Sequence, residues 1–227
     1  MTNSYPATRK GCPRCGLTGL HSCTGAPIVW REGEVEELRA TLDSLFCQPD
    51  APYDLEQPPV IYLDLDGVMV DFYGAAERLI GRPYKEVKGA QAWGILDKVP
   101  HFFRDLDPLP DAHHLWQGLQ AFASGASARV EILSAFPKLT RELVSACADK
   151  REWVRAHVCP DIHVNLVAGG AAKAAFAHPR AVLIDDLPRN IDSWVAAGGI
   201  GILHRNAQDT LTQLERVSAD LSLPRSS

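Results

Sequence analysis

Two aspartates one residue apart, Asp64 and Asp66, stand at the end of the apolar run Val60-Ile61-Tyr62-Leu63 and are followed by Gly67. Side chains on a strand alternate with period two, so both carboxylates would leave the same face of its end. Like charges held that close repel each other, and a cation or a shared proton relieves the repulsion. The same residues also fit a tight hairpin, because Asp-Gly between apolar runs is a strong turn signal. On these residues alone the hairpin and the charged site stand level. Two further sets bear on the choice. Ser134 follows the run Arg129-Val130-Glu131-Ile132-Leu133, and Asp185-Asp186 follows Ala181-Val182-Leu183-Ile184.

The elements that must position these groups can be read from the apolar periodicity. A helix is predicted near 111–124, a strand at 129–133, helical segments near 139–148 and 151–158, and a short strand at 163–167. A strand at 181–184, a helix near 190–197 and a last strand at 200–204 follow. Short apolar strands alternating with helices imply right-handed crossovers and a parallel sheet, an α/β fold. Ligands bind such sheets at the carboxyl ends of the strands, where Asp64, Asp66, Ser134, Asp185 and Asp186 all stand. That convergence disfavours the hairpin. Residues 72–109, with Trp93, Phe102, Phe103 and interspersed Gly and Pro, read as a small, mostly helical insertion after the first strand. As a lid it would offer its aromatics to a flat substrate; the alternative is that the rings form the lid's own core.

The 227 residues, 46% of them hydrophobic, suffice for one good core and a small accessory module. No apolar run approaches the ~20 residues that span a bilayer, and the N-terminus lacks the apolar stretch of a signal peptide, so a cytoplasmic protein without membrane contact is expected. Residues 1–31 carry Arg9, Lys10, Arg14 and Arg31 with no acid, so the remainder carries −9 against a whole-chain charge of −5. An acidic body argues against non-specific nucleic-acid binding as the main activity, and the basic head reads as a solvated arm. Within that head, Cys12-Pro13-Arg14-Cys15-Gly16 resembles the knuckles of zinc ribbons and rubredoxin-like sites. Cys12, Cys15, His21 and Cys23 could complete a structural Zn²⁺ site, although His-x-Cys is tighter than the usual ligand spacing. An amphipathic helix over 32–46, built on Val35, Leu38, Leu42, Leu45 and Phe46, leads to a proline-rich linker. The expected divisions are a zinc-knuckle-like segment at 1–26, helix and linker at 27–58, a catalytic domain at 59–215 with its cap at 72–109, and a tail at 216–227.

An Asp-x-Asp-Gly-Val after the first strand, Ser134 after a later strand, a downstream Lys, and an Asp-Asp pair resemble the haloacid dehalogenase superfamily of phosphotransferases over roughly residues 59–205. Asp64 through Phe72, Phe102-Phe103 leading to Leu106-Asp107-Pro108-Leu109-Pro110, Asp149 through Val154, and Leu183-Ile184-Asp185-Asp186 resemble the 5′(3′)-deoxyribonucleotidases more narrowly. The resemblance implies a Rossmannoid three-layer parallel sheet with a small helical cap after strand one, and a phosphatase of small phosphorylated substrates, most of all nucleotides. It implies Mg²⁺ held by the Asp64 carboxylate, the Asp66 backbone carbonyl, Asp185 and, directly or through water, Asp186. Asp64 would be the nucleophile and form an aspartyl-phosphate, with Asp66 as acid and then base. Ser134 and the amide of Ala135 would hold phosphoryl oxygens, with Lys138 contributing, and Trp93, Phe102 and Phe103 would contact the substrate. Lys150 would balance charge on the transferring group; Lys173 is its rival, and the Lys-x-x-Trp-Val context favours Lys150. The lid is short and unlike the family's, and Ala135-Phe136-Pro137-Lys138 matches the family's polar segment only loosely. Two other functions compete: a phosphatase acting on nucleic-acid ends, with the N-terminal module as grip, and a binding module on an inactive scaffold. Base, sugar, phosphate position and oligomeric state are not legible.

Overall fold

The computed structural model describes residues 58–137 and 145–222, with side chains up to residue 217. Cys12, Cys15, His21, Cys23, the expected helix over 32–46, the proline-rich linker, Lys138 and the first part of the helical segment predicted near 139–148 lie outside the described residues.

β1 (Val60–Leu63) is the central strand of a parallel five-stranded sheet. The others are β2 (Arg129–Phe136), β3 (Val164–Ala168), β4 (Ala181–Asp185) and β5 (Ile200–Leu203), in the order β3-β2-β1-β4-β5. All four β1 residues are buried, and a strand covered on both faces needs such a continuous apolar run rather than alternation. Its residues divide between two cores. Ile61 and Leu63 pack with Ile132, Val182 and Ile184 on one side; Val60 and Tyr62 pack with Leu133, Leu183 and Trp194 on the other. This is the three-layer α/β architecture expected from the sequence.

β1 pairs in parallel with β2 on one side and with β4 on the other, which rules out two antiparallel strands meeting at Asp66-Gly67. A tight turn is nevertheless present. The amides of Met69 and Val70 both donate to Leu65 O, at 2.8 and 2.9 Å, and Gly67 takes φ 78°. The chain runs from β1 through β2 to β3 at one edge, then returns to β4 beside β1. The strand order therefore reverses between β1 and β4, which opens a crevice at their carboxyl ends.

The insertion after β1 is closed by a stem in which Asp71 N–H donates to Asp107 O and Leu109 N–H to Met69 O, both at 2.9 Å. It holds α1 (Phe72–Ile80), a single 3₁₀ turn (Tyr84–Glu86) and α2 (Gly89–Leu96). Asp71 caps α1 by accepting from the Gly74 amide, and Gly81 ends it in the left-handed conformation.

The remaining helices are α3 (Ala112–Ala126), α4 (Ala146–His157), α5 (Pro188–Ala196) and α6 (Ala207–Ser222). Three expectations need correction. β2 runs on to Phe136, so Ser134 lies inside the strand rather than after it. Within the described residues, the two segments expected at 139–148 and 151–158 are one helix. α6 occupies the place where a domain end at 215 and a tail were expected. Asn206 Oδ1 caps it at the Asp209 amide, and Ala207, Thr210 and Leu214 are buried on its inner side.

Candidate functional site

Asp64 follows β1 directly and Asp185 is the last residue of β4. The Asp64 amide donates to Ile184 O at 3.0 Å, extending the β1–β4 ladder by one rung and setting the two carboxylates side by side. Between them comes Lys173, from the 3₁₀ segment Gly170–Phe176 that follows β3. Its Nζ is 2.6 Å from Asp185 Oδ2 and 2.9 Å from Asp64 Oδ2. Burial pulls the ammonium towards neutrality, but Asp64 and Asp185 outweigh it and hold the pKa above the ordinary lysine value. Lys173 is therefore charged.

Three donors hold Asp185. Oδ1 accepts from the Leu187 amide (2.9 Å), Oδ2 accepts from Lys173 (2.6 Å), and Asn190 Nδ2 lies 3.0 Å from both oxygens. Asn190 was missed by the sequence reading. The signal was available: Pro188 opens α5, so a polar residue in that first turn faces back towards the strand end.

The second aspartate of the pair, Asp66, has Lys150 Nζ at 2.6 Å from its Oδ2. The same ammonium donates to Ser134 Oγ at 3.3 Å and lies 4.6 Å from the centroid of the Phe103 ring. Lys150 is 1% exposed. α4 delivers it, and Trp153, one turn on, donates Nε1–H to Leu106 O at 2.8 Å. Asp149, also buried, is held by Ser145 Oγ at 3.0 Å and His101 Nδ1 at 2.9 Å. Burial raises the Asp66 pKa; Lys150 opposes the rise and the Asp64 charge adds to it.

Asp186 completes the group. Its Oδ2 accepts from the Tyr73 hydroxyl at 3.0 Å. Burial, then the Asp64 charge, push its carboxyl up to about 7, and the Tyr73 hydrogen bond works against that rise. Burial and the adjacent Asp186 push the Tyr73 hydroxyl far upward, so it remains a donor. Ligand atoms of Asp64, Asp185 and Asp186 lie within 4.8 Å of one another. Asp64 Oδ1 and Asp186 Oδ1 are both buried and have no hydrogen-bond partner. Buried polar atoms are normally satisfied, so two orphaned carboxylate oxygens in one cluster mark a place for a cation. Composition points the same way: four acidic side chains meet two lysines here. The donor set is all oxygen, which suits a hard divalent ion.

The sequence-predicted residues thus divide. Asp64, Asp66, Ser134, Lys150, Asp185 and Asp186 converge. Lys150 lies against Asp66, whereas Lys173 lies between Asp64 and Asp185. Phe102 and Phe103 are 5% and 2% exposed and belong to the core rather than to an open substrate face. Phe72 explains why: five aromatic rings surround it with centroids at 5.4–6.3 Å, those of Tyr73, Tyr84, Trp93, Phe102 and Phe103. The lid's rings pack chiefly on one another. Trp93 is half-buried at the edge of that cluster, and Ala135 is half-buried in β2. Among the half-buried tyrosines, Tyr84 comes near enough to Asp66 for that charge to add to the burial that raises its pKa.

The family described as 5′ nucleotidase, deoxy (pyrimidine), cytosolic type C protein matches residues 58–220. No curated protein matches the chain. Among solved structures, a haloacid dehalogenase-like family hydrolase from Xanthomonas campestris is 12% identical, with 77% of this chain and 97% of that chain covered and a TM-score of 0.47. A haloacid dehalogenase hydrolase from Bacillus subtilis bound to magnesium is 11% identical over 74% and 100%, with a TM-score of 0.43. CbbY from Rhodobacter sphaeroides, in complex with xylulose 1,5-bisphosphate, is 13% identical over 66% and 87%, with a TM-score of 0.42.

Proposed function

This chain belongs to the 5′ nucleotidase, deoxy (pyrimidine), cytosolic type C family, and we propose that it hydrolyses nucleoside or deoxynucleoside monophosphates with Mg²⁺ through a phosphorylated Asp64. It is a phosphoric monoester hydrolase of the haloacid dehalogenase type. The observation that carries the finer reading is the pair of partnerless buried oxygens, Asp64 Oδ1 and Asp186 Oδ1, in a cluster that Lys173 joins through Asp64 Oδ2.

Asp64 and Asp186 would hold the ion directly, with the backbone carbonyl of Asp66 as the third protein ligand that the family resemblance implies. Asp185, which offers a further ligand atom to the same cluster, also accepts from three donors and fixes Lys173. Bound there, Mg²⁺ supplies positive charge that neutralises the phosphate and lets two anions approach. The Asp64 carboxylate attacks phosphorus, and the bond to the leaving alkoxide breaks as Asp66 protonates that oxygen. Lys150 occupies Asp66 Oδ2, so the transferable proton belongs on Oδ1. Burial raises the Asp66 pKa and so favours that proton, and Lys150 opposes it. In the second half, Asp66 takes a proton from water, which attacks the phosphorus and returns Asp64 as carboxylate. Ser134 Oγ and Lys150 Nζ, 3.3 Å apart, are the donors available to phosphoryl oxygens, and loss of one such donor costs on the order of 10²–10³ in rate.

Phosphate release from 5′- and 3′-nucleoside monophosphates, sugar phosphates and a 3′-phosphorylated oligonucleotide, with Mg²⁺, tests the reading. Turnover of mononucleotides that disappears in Asp64→Asn is expected. Turnover confined to the sugar phosphates or the oligonucleotide would refute the nucleotidase assignment and leave the hydrolase class intact.

A further inference from the structure

We propose that Tyr73 is a positioning residue that ties the lid to the cation site, so that Mg²⁺ binding and the order of the lid become one equilibrium. The proposal rests on the cation site assigned above and adds a residue and a coupling to it. Tyr73 is the second residue of α1, the first helix of the lid, whereas Asp186 follows β4, the strand beside the central one. Their 3.0 Å hydrogen bond joins elements 113 residues apart. By occupying Oδ2, the hydroxyl leaves Oδ1 as the atom that Asp186 presents, and Oδ1 is the buried oxygen without a partner. Outer groups that orient a ligating carboxylate in this way typically contribute about 10–100-fold in metal affinity.

The fit around this bond is close. A Cβ at Gly67 would meet Asp186 Oδ2 at 2.5 Å and Tyr73 Cε2 at 2.9 Å, so the catalytic turn, the lid tyrosine and the carboxylate share one space. Tyr73 in turn touches the rest of the lid edge to face. Its ring centroid is 5.4 Å from that of Phe72 and 5.6 Å from that of Tyr84. An ion that fixes Asp186 therefore fixes Tyr73, and through it the helix that carries it and the 3₁₀ turn that carries Tyr84. By reciprocity, whatever orders the lid tightens the ion.

The test uses the full-length protein and Mg²⁺ alone. Calorimetric titration of wild type, Tyr73→Phe and Tyr84→Phe gives the affinities, and hydrogen exchange across residues 72–96 with and without saturating Mg²⁺ gives the coupling. Tyr73→Phe keeps the ring and removes only the hydroxyl, so the fold survives; the thermal midpoint without metal checks this. The expected result is 10–100-fold weaker Mg²⁺ binding in Tyr73→Phe and near-wild-type binding in Tyr84→Phe. Mg²⁺ should slow exchange over 72–96 in wild type and fail to do so in Tyr73→Phe. Equal or tighter binding by Tyr73→Phe, or an equal loss in Tyr84→Phe, would overturn the assignment of Tyr73 while leaving the cation site in place. A wild type that binds no Mg²⁺ would remove the site and this proposal together.

Discussion

Lys173 Nζ lies 2.9 Å from Asp64 Oδ2, and both side chains are withdrawn from solvent. The same nitrogen is bonded to Asp185, so one ammonium separates two buried carboxylates at the carboxyl ends of β1 and β4. Removing one partner of a buried ionic group leaves uncompensated charge and typically costs about 3–5 kcal/mol. Lys173→Met should therefore lower the stability of the metal-free protein by that order, read as a lower denaturant midpoint. It should also reduce turnover by at least about 10²-fold, as loss of a charge-stabilising donor does. Lys173→Arg keeps the charge and should recover most of the stability. Methionine tolerated without loss of midpoint would show that the two carboxylates do not depend on the ammonium.

This pair also shows where the sequence stops being informative. The strand ends that carry Asp64 and Asp185 were legible because buried parallel strands read as short apolar runs, and the topology rule then places their ends together, whereas β2 runs on past Ser134 to Phe136. Lys173 was legible as a candidate but not as a partner. It arrives from a 3₁₀ segment after β3, and nothing in Gly169-Gly170-Ala171-Ala172-Lys173 shows that this segment brings the ammonium between Asp64 and Asp185. Tyr73 was invisible for a related reason. Its bond to Asp186 depends on how the lid's first helix crosses the crevice, a long-range property that local periodicity does not encode. Phe102 and Phe103 were offered as substrate contacts because aromatic residues suit that role; their burial against Phe72 shows a six-ring core that spacing alone could not separate from a binding face. α6 was missed altogether because its apolar side is narrow: Ala207, Leu211 and Leu214 among polar neighbours.

Proton and metal should compete for Asp186. Its carboxyl lies near 7 in the metal-free protein because of burial and the Asp64 charge, and an ion needs the carboxylate. Mg²⁺ affinity should then fall by up to about tenfold for each pH unit below about 7 and level off above about pH 8. The sign for stability is opposite to that of a salt-bridged acid. A folded-state pKa above the unfolded value means that the metal-free fold loses stability as pH rises from the ordinary carboxylate range to about 7. The increase in thermal midpoint on adding Mg²⁺ should consequently be larger at pH 8 than at pH 5. Calorimetric titrations and melting curves at the two pH values check both statements; a pH-independent affinity would place the ion away from Asp186.

Gly67 and Gly81 allow backbone strain to be separated from crowding at the site. Both adopt positive φ, 78° and 79°, where an alanine costs roughly 1 kcal/mol. Around Gly81, at the end of α1, a Cβ would meet nothing within 4 Å. Around Gly67 it would meet Asp186 Oδ2 and Tyr73 Cε2, so the carboxylate, the tyrosine or the turn that bears Asp66 must move. Gly81→Ala should accordingly lower the unfolding midpoint while phosphatase turnover stays near wild type. Gly67→Ala should lower the midpoint further and reduce turnover by at least tenfold, since a displacement of about 1 Å at reacting groups can cost on the order of 10² in rate. Denaturant curves and initial rates on the same preparations separate the two effects. Full turnover in Gly67→Ala would mean that the turn relaxes without disturbing Asp66 or Asp186, and the close approach would then carry no catalytic weight.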